Sequence, residues 1–191
     1  MSFLDWFVLF VLIVIVVLYL KKHYTEVDYV KSSIDGRTYL VQRLPDRKEA
    51  ADTLAILNRD IQKLVKHLMA KYPHKEEVRR LYENYNPDNV SEGSPFSGYT
   101  SYTINKGQKL ILCIRQKDKS QTLIRDMNLL RYVVFHEAGH YASKGIGHTS
   151  EFWTNFKFIL QEAVEIGLYK KTDYANNPQP YCGIKVSSSV I

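Results

Sequence analysis

Cysteine is nearly absent. Cys113 and Cys182 are the only two in 191 residues. Two cysteines make neither a disulfide framework nor a four-cysteine zinc ribbon, and as free thiols they suit a reducing compartment. Lysine and arginine are missing before Lys21, so the chain lacks the basic start of a secretory signal. The segment "VVLYLKKHY" also offers no small-residue cleavage site. No repeat, low-complexity tract or dense basic run follows. Histidine is scarce too, with six in the chain.

Apolar residues dominate the N-terminus instead. The 18 residues Phe3–Leu20 carry one charge, Asp5. As a helix they would reach about 27 Å, close to the thickness of a hydrocarbon core. The composition predicts an uncleaved transmembrane anchor over residues 1–23, touching the membrane through residues 3–20. Lys21 and Lys22 follow the span, and the positive-inside rule places the main domain on the cytoplasmic side of a single-pass protein. One glycosylation triplet, Asn89-Val90-Ser91, has meaning only if that domain is lumenal. The net charge of +6 becomes +7 without Asp5. It suits a nucleic-acid or anionic-membrane partner, but the lysines are dispersed and fit a solvated surface better.

After the anchor, "VDYVKSSIDGRTYLVQRL" reads as a hairpin turning at Asp35-Gly36. A helix of about 25 residues opens at Pro45-Asp46 and carries Leu54, Leu57, Ile61, Leu64 and Leu68 at helical spacing. It stops at Pro73. "KEEVRRLYENY" reads as a shorter helix and "NPDNVSEGSPFSG" as a loop. "YTSYTINKGQKLILCIR" reads as a second hairpin around Asn105-Lys106-Gly107. A helix from about Asp126 to Ser143 follows, then a "KGIG" break. A last helix runs from the Thr149 cap to about Tyr169. The domain is expected over residues 24–175, with an irregular tail over 176–191.

Half of the histidines fall in "FHEAGHYASKGIGHTSEFW". His136 and His140 are four apart, hence one turn apart on one helix face. Glu137 follows the first. Chance placement of six histidines yields such an H-E-x-x-H pattern about once in a hundred chains of this composition. Two imidazoles so placed can meet one zinc ion (Zn2+), and a neighbouring glutamate can act as general base on a water. A catalytic zinc needs a third protein ligand. His148 is expected to supply it, because Gly145 and Gly147 let the chain turn back over the site. Glu151, Glu162 and Glu165 are alternative ligands. Phe152, Trp153 and Phe156 read as core.

"HEAGH", seven residues, then "HTSEFW" resembles the zincin metallopeptidases of the SprT and WLM type over about Tyr99 to Tyr169. That resemblance implies zinc on His136, His140 and His148, with Glu137 as base. It also implies a zincin edge strand in "KLILCIR". The chain departs from the family in lacking a four-cysteine ribbon and in having an anchor. It also has Gly139 inside the motif, which weakens helix propensity by up to about 1 kcal/mol. "SSIDGRTYLVQRLPDRKEAADTLAILN", "NPDNVSEGSP" and "YCGIKV" resemble anchored proteins of large double-stranded DNA viruses, which implies a viral or virion internal membrane.

The expected fold is therefore α+β, a single zincin-like domain with helices packed on a small, mostly antiparallel sheet. The expected activity is a membrane-anchored zinc metallopeptidase hydrolysing a protein or peptide substrate. The alternatives are an inactive zincin-fold scaffold on a membrane and a DNA–protein-crosslink protease.

Overall fold

The structure, a computed structural model, describes residues 2–23 and 26–191. The side chains of residues 21–25, on which the orientation argument rests, lie outside the described ones. Helix α1 spans Phe3–His23. Its Phe3–Leu20 window has no buried residue, and by length and composition it is long enough to cross a membrane.

The folded unit begins with strands β1 (Val27–Lys31) and β2 (Thr38–Gln42), an antiparallel hairpin. Gly36 takes φ +73° in its turn, a backbone region open to glycine at no steric cost. Helix α2 (Arg47–Lys71) follows. Leu54, Leu57, Ile61, Leu64 and Leu68 are fully buried on one face, which is the expected stripe. The helix ends where Pro73 forbids continuation, and the Tyr72 N–H closes it on the Leu68 carbonyl at 2.7 Å. Helix α3 (Glu76–Asn84) packs on α2 and leads to β3 (Val90–Glu92). The stretch read as a loop thus contains a short strand, too brief to leave a pattern in the sequence.

Strands β4 (Tyr102–Ile104) and β5 (Lys109–Leu112) form the second hairpin. Asn105 and Lys106 both take positive φ in its turn. The spatial order is β1-β2-β3-β5-β4. The β2–β3 and β3–β5 pairings are parallel, so the sheet is mixed rather than mostly antiparallel. The physical reason is the α2–α3 connection, which carries the chain across the sheet and returns it in the same direction. The order also corrects the edge assignment. "KLILCIR" supplies an inner strand, and β4 is the edge.

A buried ion pair ties these layers together. Arg115 Nε meets Glu92 Oε1 at 2.6 Å, and Arg115 Nη2 meets Asp46 Oδ1 at 2.7 Å. Glu92 also accepts the Gln42 N–H at 2.7 Å. The start of α2, two strands and the chain after β5 are thereby held in one network.

Helices α4 (Met127–Ala142) and α5 (Ser150–Glu165) complete the fold. Helix α5 stops four residues earlier than its pattern suggests. Gly167 at φ +71° lets the Leu168 N–H reach the Ala163 carbonyl at 2.8 Å, a left-handed cap that closes the helix.

The expected irregular tail is corrected. Strands β6 (Gln179–Tyr181) and β7 (Ile184–Val186) form an antiparallel hairpin. Its two-residue turn, Cys182-Gly183, has φ +49° and +81°, as the twist of a tight hairpin requires. The two cysteines are joined as a Cys113–Cys182 disulfide. That corrects the reading of two free thiols, and with it the case for a reducing compartment. The bond fixes the hairpin turn to the chain leaving β5, where the Tyr181 hydroxyl also donates to the Cys113 carbonyl at 2.9 Å.

Helices α4 and α5 pack closely at Gly139. A Cβ there would stand 3.0 Å from Phe152 Cε2 and 3.3 Å from Phe156 Cβ. Its loss of helix propensity therefore has a packing reason. Gly139→Ala is expected to lower the thermal midpoint. The added methyl improves propensity by up to about 1 kcal/mol, but overpacking against the Phe152 ring and Phe156 Cβ costs about 1–3 kcal/mol. A raised midpoint would show that the rings yield freely.

Candidate metal site

Helix α4 begins at Asp126, whose carboxylate accepts the Asn128 and Leu129 N–H groups at 2.9 and 3.0 Å. Phe135, Ala138 and Tyr141 are buried in the core. The 3.6-residue period then carries His136 and His140 to the side facing α5. The chain reverses through residues 143–149. Arg80 Nε donates to the Ala142 carbonyl at 2.7 Å, and the Ser143 hydroxyl donates to the Gly139 carbonyl at 2.8 Å. Thr149 caps α5 by accepting the Phe152 N–H at 3.3 Å. Gly147 takes φ +78° within the reversal.

His148 is thereby returned to the two helix histidines. The ring centroids of His136 lie 5.1 Å from His140 and 4.8 Å from His148, and those of His140 and His148 are 5.1 Å apart. One nitrogen from each lies within 4.8 Å of the others. His136 Nε2 and His148 Nε2 are 2.9 Å apart. Tetrahedral zinc at its usual imidazole distance would set these nitrogens roughly 3.3 Å apart, so the group fits the ion with small adjustments. Phe152 stacks on His140 at 4.3 Å and meets His136 edge-on at 4.7 Å. Trp153 lies 5.5 Å from His148. The aromatic residues read as core therefore also form one side of the histidine cage.

Burial sets the protonation. It pushes His136 down to about 3, helped by His140 and His148, and it pushes His140 down to about 4, helped by His148. Both are neutral at physiological pH, the form that ligates metal. Burial alone pushes Glu137 up to about 8. Its Oε2 is buried with no hydrogen-bond partner among the described residues. An orphaned buried carboxyl oxygen is costly unless a ligand, water or cation meets it.

The alternative ligands go elsewhere. Glu151 accepts the Lys144 N–H at 3.1 Å and pairs with Arg80 at 3.2 Å, so it braces the loop that delivers His148. Glu162 and Glu165 bind Lys71 at 3.1 and 2.6 Å, and Glu162 also meets His67 at 2.8 Å. That second His–Glu group lies between α2 and α5, and Lys71 already fills it.

The histidines and Glu137 open onto a cleft of about 850 Å³. Its walls are the β4 segment and the β6–β7 hairpin. The hairpin wall, Arg80 and the disulfide carried no signal in the sequence. The H-E-x-x-H spacing and the glycine pair did. Two tyrosines beside the cleft have engaged hydroxyls: Tyr181 bonds Cys113 and Ser101, and Tyr132 bonds the Ser188 carbonyl at 2.8 Å.

Residues 35–187 match the WLM domain family, and the chain belongs to it. The family is of the SprT-like metallopeptidase type and is associated with zinc. A protein of Acanthamoeba polyphaga mimivirus, described only as uncharacterised, is 34% identical over 175 residues, which is 90% of this chain and 88% of the relative. An uncharacterised protein of Invertebrate iridescent virus 6 is 40% identical over 75 residues, 39% of this chain and 42% of the relative. One from Invertebrate iridescent virus 3 is 41% identical over 70 residues, 36% of this chain and 42% of the relative. No solved structure matches.

The buried carboxyl generates a pH prediction for the metal-free protein. A carboxyl raised from 4.5 to about 8 on folding favours the fold fully below pH 4.5, and that contribution is lost as pH rises to 8. Glu137→Gln removes the loss without changing shape. The variant should match the parent near pH 4 and exceed it above pH 8 by on the order of a few kcal/mol. Denaturant melts across this range test it, and parallel curves would place Glu137 in water.

Proposed function

We propose that this chain is a membrane-anchored zinc peptidase in which His136, His140 and His148 hold the metal and Glu137 is the general base. The observation that carries the reading is the convergence of three imidazoles beside a buried carboxyl oxygen with no partner among the described residues, all lining one open cleft. Zinc, when bound, supplies Lewis-acid polarisation of a carbonyl and makes a water acidic enough to lose a proton near neutrality. Glu137 would accept a proton from the attacking water and return it to the leaving amine. A nearby dication favours the ionised form of this carboxyl, countering the burial that raises it. Edge strand β4 borders the cleft and pairs with no strand but β5 among the described residues, so its other edge can take an extended substrate.

The open cleft favours a peptidase over a scaffold in which zinc only staples two helices, since a structural site closes its fourth position. The family membership supports the same reading. Helix α1 supports anchoring through residues 3–20. Sidedness rests on opposed features, because the flanking lysines favour the cytoplasm and the Cys113–Cys182 disulfide favours an oxidising side.

The test uses the full chain in detergent. About one zinc per chain is expected by metal analysis, and His148→Ala should weaken its affinity at least about tenfold. Glu137→Gln should keep the metal and lose peptide cleavage by about a thousandfold or more. Undiminished cleavage by that variant, or a folded parent that binds no zinc, would overturn the proposal.

A further inference from the structure

We infer that the C-terminal hairpin is the second wall of a substrate channel, and that Lys185 on it selects extended polypeptide segments bearing acidic side chains. The inference rests on the peptidase reading above and adds the substrate class.

The geometry comes from two strands that meet the cleft edge-on. Side chains alternate between the faces of a strand, so a cavity touching one face meets every second residue. Here consecutive residues line it on both sides: Tyr102 and Thr103 of β4, and Ile184, Lys185 and Val186 of β7. Strand β4 ends the main sheet, and β7 pairs only with β6 among the described residues. Each strand therefore has one unpaired edge bordering the same cleft, with the histidines and Glu137 between them. An extended chain laid in the cleft can bond to both edges, whereas a folded loop cannot reach either. The disulfide at Cys182 and the Tyr181–Cys113 bond hold the second edge in place.

Charge picks the side chains. Lys106 and Lys185 line the cleft, and Glu137 is the single carboxylate among the lining residues, buried at the floor. The Lys106 ammonium is held by the Lys144 carbonyl. Lys185 is exposed and has no hydrogen bond or ion pair among the described residues. The wall charges are both positive, and a cleft whose walls carry one sign of charge draws in the opposite charge. The same field would also attract a nucleic-acid strand. Two backbone edges favour a polypeptide, because only a peptide chain offers N–H and C=O groups in register with a strand on each side.

The test uses full-length, zinc-loaded protein in detergent and short fluorescent peptides of one sequence, with Asp/Glu, Ser or Lys flanking a central apolar pair. Cleavage is followed with the parent chain and binding with Glu137→Gln. Acidic peptides should be bound and cleaved about tenfold better than basic ones, with the difference shrinking as salt rises. Lys185→Glu should reverse the order and Lys185→Arg should retain it. N-methylation of the peptide amides should weaken binding. Cleavage without charge preference, or a preference unmoved by Lys185→Glu, overturns the inference and leaves the peptidase reading standing. Charge-selective binding without any cleavage supports the channel and overturns the peptidase. Failure to bind any peptide, or tighter binding of single-stranded DNA than of the acidic peptide, overturns the channel.

Discussion

The close approach of α4 and α5 at Gly139 is the constraint on which the site depends. With no side chain at that position, Phe152 and Phe156 pack directly on the α4 backbone. Phe152 then lies flat against His140 and edge-on to His136. The same contact sets where α5 starts, and Thr149, its cap, fixes the residue before it, His148. A wider helix pair would separate the third histidine from the first two. The glycine that looks like a weakness in a helix is what makes a three-nitrogen group possible between two helices.

The cleft depends on a second set of restraints away from the histidines. The Arg115–Glu92–Asp46 network joins the start of α2 to β3 and to the chain leaving β5. That chain holds Cys113 as well, so the hairpin stapled there inherits its position from the buried ion pair. A buried pair of this kind is weak evidence of net stability but enforces one arrangement, since breaking it leaves an uncompensated charge. One wall of the cleft is thus an edge of the main sheet, and the other is anchored to the same sheet by a covalent bond. The positions of these two walls are therefore both tied to the core.

Much of this was legible in the residues. Pro45-Asp46 and Pro73 bounded α2, Asp35-Gly36 marked the first turn, and the four-residue spacing of His136 and His140 put both on one face. These are local signals, carried by a few neighbouring side chains and the backbone they require. The misses were non-local or too short. Strand β3 has three residues and exists because β2 and β5 flank it. The parallel pairings follow from the path of α2 and α3. The Cys113–Cys182 bond links positions 69 apart, and pairing over that distance leaves no trace in spacing. The hairpin turn at Cys182-Gly183 was hidden because cysteine is not a residue associated with left-handed backbone. That one omission concealed a whole wall of the cleft.

The molecule holds two groups of histidine with glutamate, and comparing them separates a ligand site from an ion-pair cluster. In the group formed by His67, Glu162 and Glu165, the protein supplies its own cation, because Lys71 reaches both carboxylates and Tyr72 donates to Glu162 at 2.8 Å. Each carboxylate oxygen there gains a partner from within the chain, so an incoming metal would have to displace an ammonium. The group on α4 is built the other way. No lysine or arginine bonds Glu137 among the described residues, and burial keeps His136 and His140 unprotonated. Three ring nitrogens converge, and beside them a buried carboxyl oxygen has no partner among the described residues. Residue types and proximity are alike in the two groups. What differs is whether the fold provides the positive charge, and a group that withholds it is organised around a cation from outside.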